Sequence, residues 1–260
     1  VVFNLSTVHD IYVFIDGFAP FKTAMDFDNP GLLVGSGGTA VKTALLSLDI
    51  TPDVVDEAAL LGAQLIISHH PVIFNPLKEL VPGTAPFMLV KAGIAAVCAH
   101  TNLDMAPGGV NDCLAARLKL KNIKPLVLSQ NSGLPEALYG ETACAFEPDE
   151  FADFVKQSLS CGGLSYTDGG SKITKVGLCG GGGADMVYDA AARGCQAFVT
   201  GESKHNILID ACRLGVTFVD AGHFYTEDVV IEPLMNKLKK QFTDVNFIKS
   251  KRMRCPVKFI

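Results

Sequence analysis

Short continuous apolar runs alternate along the chain with stretches in which apolar residues recur at helical spacing. A continuous run flanked by turn residues fits a strand buried on both faces, and a period near 3.6 fits an amphipathic helix. Ser6–Phe18 (STVHDIYVFIDGF) reads as a helix with a Ser or Thr cap, His9 being an exposed residue of its first turn. Asp28-Asn29-Pro30-Gly31 is a turn, and the short strand Leu32–Val34 follows it. Val41–Leu48 (VKTALLSL) is a buried strand that ends at Asp49. Thr51-Pro52-Asp53 starts a helix with proline at its first position, running to Leu61.

A unit then recurs: helix, glycine, apolar strand, polar end. Gly62 precedes AQLIIS and His69, and Gly93 precedes IAAVCA and His100. Gly194 precedes CQAFVT and Gly201-Glu202, and Gly215 precedes VTFVDA and Gly222-His223. Each glycine stops a helix. Strands alternating with helices predict α/β architecture with mixed, largely parallel sheets flanked by helices. In such sheets ligands bind beyond the carboxyl ends of the strands. His69, His70, His100, His205 and His223 all fall at or just after those ends.

The middle of the chain differs. Asn122–Glu141 is rich in Pro, Gly, Ser and Asn and reads as a linker followed by a strand. Pro148–Leu159 is an amphipathic helix, Lys175–Cys179 a strand, and Gly180–Gly183 a tight turn into the next helix. Two α/β domains are expected: residues 1–124 with 226–260, and residues 125–225. The last helix (Asp228–Phe242) and strand (Val245–Lys249) return to the first.

Composition narrows the function. Among 260 residues the hydrophobic fraction is 48% and the net charge is −5. The basic run Lys249–Arg254 is short and reads as a solvated tail, which argues against a nucleic-acid footprint. No apolar run reaches the ~20 residues of a membrane span. Val1–Tyr12 lacks the basic start and apolar core of a signal peptide, so a cytoplasmic location is expected. The start at Val1 rather than Met suggests removal of an upstream piece. None of the eight cysteines has C-x-x-C spacing; they read as reduced, buried apolar residues.

The chemistry begins at Leu65–Phe74, LIISHHPVIF. Successive side chains of an extended segment point to opposite sides. Adjacent His69 and His70 therefore suit two ions side by side better than one; the structural alternative is one packed and one exposed imidazole. Asp104, in the loop after a strand, can bridge two cations or simply cap that loop. His223 and Glu227 are four apart, so a helix starting there stacks them on one face. Nitrogen and oxygen donors without thiolate suit Zn²⁺, Mn²⁺, Fe²⁺, Co²⁺ or Ni²⁺. Five donors for two ions leave positions open for water, the mark of a catalytic site. Lys204 either meets a substrate phosphate or is exposed, and Gly180–Gly183 has neither Walker nor Rossmann spacing. Asp28-Asn29 reads as a turn in preference to a site element.

DNPGLLVG, ISHHPVIFNPLK, AHTNLDMAPGGVND, TGESKHN and DAGHFYTE, in that order, resemble the NIF-three-like family, whose members are labelled GTP cyclohydrolase I type two homologues. The resemblance runs from Thr7 to about Val257 and is to the short form of the family. It implies two α/β domains with a dinuclear metal centre between them, held by His69, His70, Asp104, His223 and Glu227. It also implies a homohexamer and a small-molecule substrate, possibly a nucleotide. The family's block TGxxKHH ends here in Lys204-His205-Asn206, without the second histidine. The reaction in the label is hydrolytic opening of the guanine imidazole ring of GTP by metal-activated water, with His100 or His205 moving protons. The expected function is therefore a metal-dependent hydrolase acting on a C–N bond; the alternative is a non-enzymatic oligomeric metal-binding or partner-binding, regulatory protein.

Overall fold

A computed structural model describes residues 5–260. The first residues of Val1–Tyr12, considered above as a signal sequence, lie outside them. The described elements start with α1 (Val8–Phe18), where Thr7 and Asp10 form a reciprocal capping box. Such a cap stabilises a helix by about 1 kcal/mol. Then follow β1 (Gly31–Val34), β2 (Thr43–Ser47), α2 (Pro52–Leu60), β3 (Leu65–Ser68), α3 (Ala85–Ala92), β4 (Ala95–Cys98) and the short α4 (Thr101–Met105).

The next elements are α5 (Val110–Arg117), β5 (Lys121–Leu128), β6 (Pro135–Phe146), α6 (Pro148–Leu159), β7 (Ser165–Tyr166) and β8 (Ile173–Leu178). They continue with α7 (Val187–Ala192), β9 (Ala197–Thr200), α8 (His205–Leu214), β10 (Thr217–Asp220) and α9 (His223–Glu227). The chain closes with α10 (Ile231–Gln241) and β11 (Asn246–Lys249).

Two compact units result. The first runs to Ala106 and regains Ile231–Arg254; the second comprises Pro107–Val230 and Cys255–Ile260. The first holds a five-stranded sheet in the order β1-β4-β3-β2-β11. β11, β2, β3 and β4 are parallel, and β1 is antiparallel at the edge. On one face Val54, Val55 and Ala58 of α2 and Leu89 of α3 pack on Leu45, Ile66 and Ala96. Strands covered on both faces read as unbroken apolar runs, which is why LLS and LIIS were legible.

The second unit holds a six-stranded sheet, β5-β6-β8-β9-β10-β7, with β8, β9 and β10 parallel. Leu114, Phe151 and Val155 of α5 and α6 meet Val176, Leu178, Val199 and Val219. Val187, Ala190, Ile207 and Ala211 of α7 and α8 meet Phe198 and Phe218. The alternation of strand residues between these two clusters is the period-two pleat.

Two expectations are corrected. The start of Asn122–Glu141 is no linker: β5 and β6 pair as an antiparallel hairpin at the sheet edge. Its exposed residues and Pro125 disguise a strand, and an edge is where a strand tolerates proline. Asp104 lies on a helix, α4, too short to show a period. The helix α5 has no expectation behind it, because Asn111 is buried within it and breaks the apolar stripe.

Candidate metal centre

In the first unit, parallel register sets the site. Ser47 pairs with Ser68, and Ser68 with Cys98. Asp49, His69-His70 and His100 therefore leave the same edge of the sheet. His69 and His70 lie past the end of β3, and their rings do not point to opposite sides as an extended segment would require. Their centroids are 5.0 Å apart, and the His100 ring is 5.2 Å from one and 5.5 Å from the other. Each imidazole offers a ring nitrogen within 4.8 Å of those of the other two, an arrangement able to hold a metal ion.

All three rings are oriented through Nδ1. His69 Nδ1 donates to the Ala99 carbonyl at 2.9 Å. His70 Nδ1 meets Asp49 Oδ1 at 2.8 Å, and His100 Nδ1 meets Asp28 Oδ1 at 2.7 Å. Pairing Nδ1–H with a carbonyl or carboxylate leaves Nε2 as the basic nitrogen, the arrangement typical of histidine ligands. His69 is fully buried. Its carbonyl accepts from the Cys98 thiol at 2.9 Å, and burial holds that thiol well above its usual pKa, so Cys98 stays a neutral donor. His69 Nε2 lies 3.4 Å from Asp104 Oδ1, a buried oxygen that accepts no hydrogen bond. A buried carboxylate oxygen in that condition suits a cation.

Asp28 does more than make a turn. Its side chain is fully buried and accepts from His100 Nδ1, from the Thr101 N–H at 3.0 Å and from the Thr101 hydroxyl. Burial pushes its pKa up, but these donors outweigh it and hold the carboxyl below its ordinary value. Asn102 adds a second tie, accepting from the His100 N–H at 3.0 Å and donating to the Ala19 carbonyl at 2.6 Å.

In the second unit, β8, β9 and β10 bring Gly180–Gly183, Gly201-Glu202 and Gly222-His223 to one edge. His223 and Glu227 occupy one face of α9, with His223 Nε2 2.8 Å from Glu227 Oε2. Glu202 Oε2 lies 3.5 Å from His223 Nδ1. The Glu227 side chain is almost fully buried. The four-glycine turn wraps this pair: Gly181 N–H donates to Thr226 Oγ1, and the Thr200 hydroxyl donates to the Gly181 carbonyl. A Cβ on Gly201 would come within 2.6 Å of Thr226 Oγ1 and 2.7 Å of the His223 Cα. The glycines thus admit protein side chains.

His223 and Glu202 also border a cavity of about 410 Å³. Asp220, at the end of β10, lies in its wall. Burial raises the Asp220 pKa, although Ser203 Oγ donates to it at 2.9 Å and the Gly222 N–H at 3.2 Å. Lys204 and His205 stand apart from this arrangement. Lys204 caps α8 and His205 opens it, both are exposed, and neither lines the cavity. Asp49 is the site residue that pattern reading passed over, and Asp28 was weighed as a site element but read as a turn. Asp49 carried the same signal as His69, a polar residue just past a buried strand. Asp28 carried chiefly a turn signal, because its partner His100 lies far along the chain.

The fold and sequence have close counterparts. A protein of Clostridium perfringens called GTP cyclohydrolase 1 type 2 homolog is 32% identical over 97% of this chain and 99% of its own. The crystal structure of a hypothetical protein of Staphylococcus aureus matches with a TM-score of 0.92 at 28% identity, covering 99% of this chain and 100% of that one. A Bacillus cereus protein related to NIF3 matches with a TM-score of 0.88 at 25% identity, covering 99% and 100%. The family model Duf34/NIF3 (NGG1p interacting factor 3) matches residues 6–256, and the chain belongs to that family.

Proposed function

We propose that the chain is a metal-dependent hydrolase of C–N bonds in which His69, His70, Asp104, His223 and Glu227 serve as one ligand set for two divalent ions. The observation that carries this reading is the triple of His69, His70 and His100, each turned by a bond at Nδ1 to a carbonyl or carboxylate. Structural histidines do not need three such orienting partners at one strand edge; metal ligands and proton carriers do. The donor set is imidazole and carboxylate, which fits Zn²⁺, Mn²⁺, Fe²⁺, Co²⁺ or Ni²⁺. Paired ions lower the pKa of water and stabilise the charge that its attack creates.

The chain's own groups then divide the work. Asp104 and Glu227, both largely buried, supply negative charge that holds cations in place. Asp28 keeps a proton on His100 Nδ1, so His100 Nε2 is the atom that takes and returns a proton. In the hydrolysis, the water oxygen bonds to the substrate carbon, the C–N bond breaks, and a proton passes to the departing nitrogen. The relatives' name, GTP cyclohydrolase 1 type 2 homolog, is in keeping with C–N hydrolysis and supplies the substrate to test first.

The test is metal analysis of the protein purified from its own cells, followed by a hydrolase screen with the metal found. Two ions per chain and turnover lost in Asp104→Ala are expected. Bound metal without turnover on any cyclic amide, amidine or nucleotide would favour the non-enzymatic alternative.

A further inference from the structure

The cavity beside His223 has a composition that restricts what it can receive. Two carboxylates, Glu202 and Asp220, face it together with His223, and no Lys or Arg is among the described residues that line it. The rest of its wall is largely aromatic and aliphatic, with Tyr225, Val257 and Phe259 prominent. Its volume of about 410 Å³ falls within the ~300–1,000 Å³ of small-molecule sites. One wall depends on two small residues. The Phe259 ring lies against Gly162 and Gly163, where a Cβ would come within 2.8 Å and 2.5 Å of ring carbons. Only glycines at both positions let the C-terminal segment close that side. Yet Phe259 and Val257 remain about half exposed, so apolar surface is left facing the opening.

An anion entering this cavity meets two carboxylates and no Lys or Arg among the described residues, whereas N–H groups find acceptors. We propose that the cavity binds the planar, uncharged or cationic, N–H-bearing part of the substrate and excludes its phosphates or other anionic groups. The proposal rests on the hydrolase reading only in calling the ligand a substrate. A cyclic amide or amidine places its ring here and its C–N bond towards His223. If the substrate is a nucleotide, its base enters and its phosphates stay outside.

Three probes of one shape separate charge from size: benzamidine, benzamide and benzoate. Binding is measured by calorimetry on the full chain as purified and again after chelator treatment, which makes the result independent of metal and of turnover. In the chelator-treated protein benzamidine and benzamide are expected to bind in the millimolar range, and benzoate at least tenfold more weakly. Ser165 is the direct cross-strand partner of Asp220 on the exposed edge strand β7. Ser165→Lys sets an ammonium against Asp220 and should bring benzoate level with or ahead of benzamidine. Val257→Lys, at an exposed position, should shift the preference the same way if Ser165→Lys fails to fold. Equal or tighter benzoate binding in the unaltered chain, no binding of any probe, or an unchanged order in a folded lysine variant overturns the proposal. Failure of the metal-dependent turnover alone would leave it standing.

Discussion

The carboxylate of Glu227 occupies the space that a side chain at residue 181 would need. A Cβ on Gly181 would fall 2.0 Å from Glu227 Oε1 and 3.2 Å from His223 Nε2. The same glycine has φ +61°, a left-handed conformation that costs an L-residue about 1–2 kcal/mol. Position 181 is therefore glycine for two separable reasons.

Gly181→Ala tests them against a control. Gly62 has nearly the same φ, +62°, and a methyl group added there would have nothing within 4 Å. Gly62→Ala should cost only the backbone strain, about 1 kcal/mol. Gly181→Ala should cost that and also displace Glu227 from His223, with metal affinity falling at least tenfold. Denaturant titration reads the first effect and metal titration the second. Equal behaviour of the two variants would contradict the packing role.

Asp28 holds His100 and Thr101 from a fully buried position. Asp28→Ala leaves three donors, the His100 Nδ1–H and the Thr101 N–H and hydroxyl, without their acceptor. Hydrogen bonds to a charged group contribute about 1.5–3 kcal/mol each in such mutants. A loss of about 3 kcal/mol or more in unfolding free energy is expected. Asp28→Asn keeps one acceptor and should lose less stability, and on the hydrolase reading turnover should fall further in Asp28→Ala, where His100 loses its orienting partner altogether.

Glu57 of α2 is buried and accepts from the Ser250 hydroxyl and from the Lys251 and Arg252 N–H groups, tying the segment after β11 to the first unit. Burial pushes its pKa up, but these donors outweigh that and hold it below the ordinary value. A depressed folded pKa means that this stability is complete above the unfolded value, about 4.3. It is lost as pH falls through the lower folded value. Glu57→Gln should lower stability by about 1–2 kcal/mol at neutral pH and flatten the acid side of the stability profile. An unchanged profile between about pH 5 and 3 would place the acid sensitivity elsewhere.

Metal removal should destabilise the chain by mass action. An ion present at a hundred times its dissociation constant contributes about 2.7 kcal/mol to a protein that binds it only when folded. Chelation should lower the melting temperature by several degrees, and readdition should restore it. Asp104→Asn should show the lower value with or without metal.

The recurrent strands, and the places where they end, can be read from the residues without any structure. Runs such as LIIS and AFVT are continuous because both faces of their sheets are covered, and glycine stops the helices that precede them. The spacing of His223 and Glu227 followed from helix geometry, and the adjacency of His69 and His70 marked the site. Where those residues come to lie was decided by packing over long range. Parallel register, not sequence distance, brings His100 to His69 and His70, and their rings converge because both lie beyond the strand. Asp28 reaches His100 across more than seventy positions, which no local pattern records. Gly180–Gly183 is legible as a turn, but whether the space beside it holds phosphate or a glutamate depends on what folds back against it. Local periodicity encodes which face of an element is buried, whereas a site is made by the ends of elements, where period is absent and long-range pairing decides.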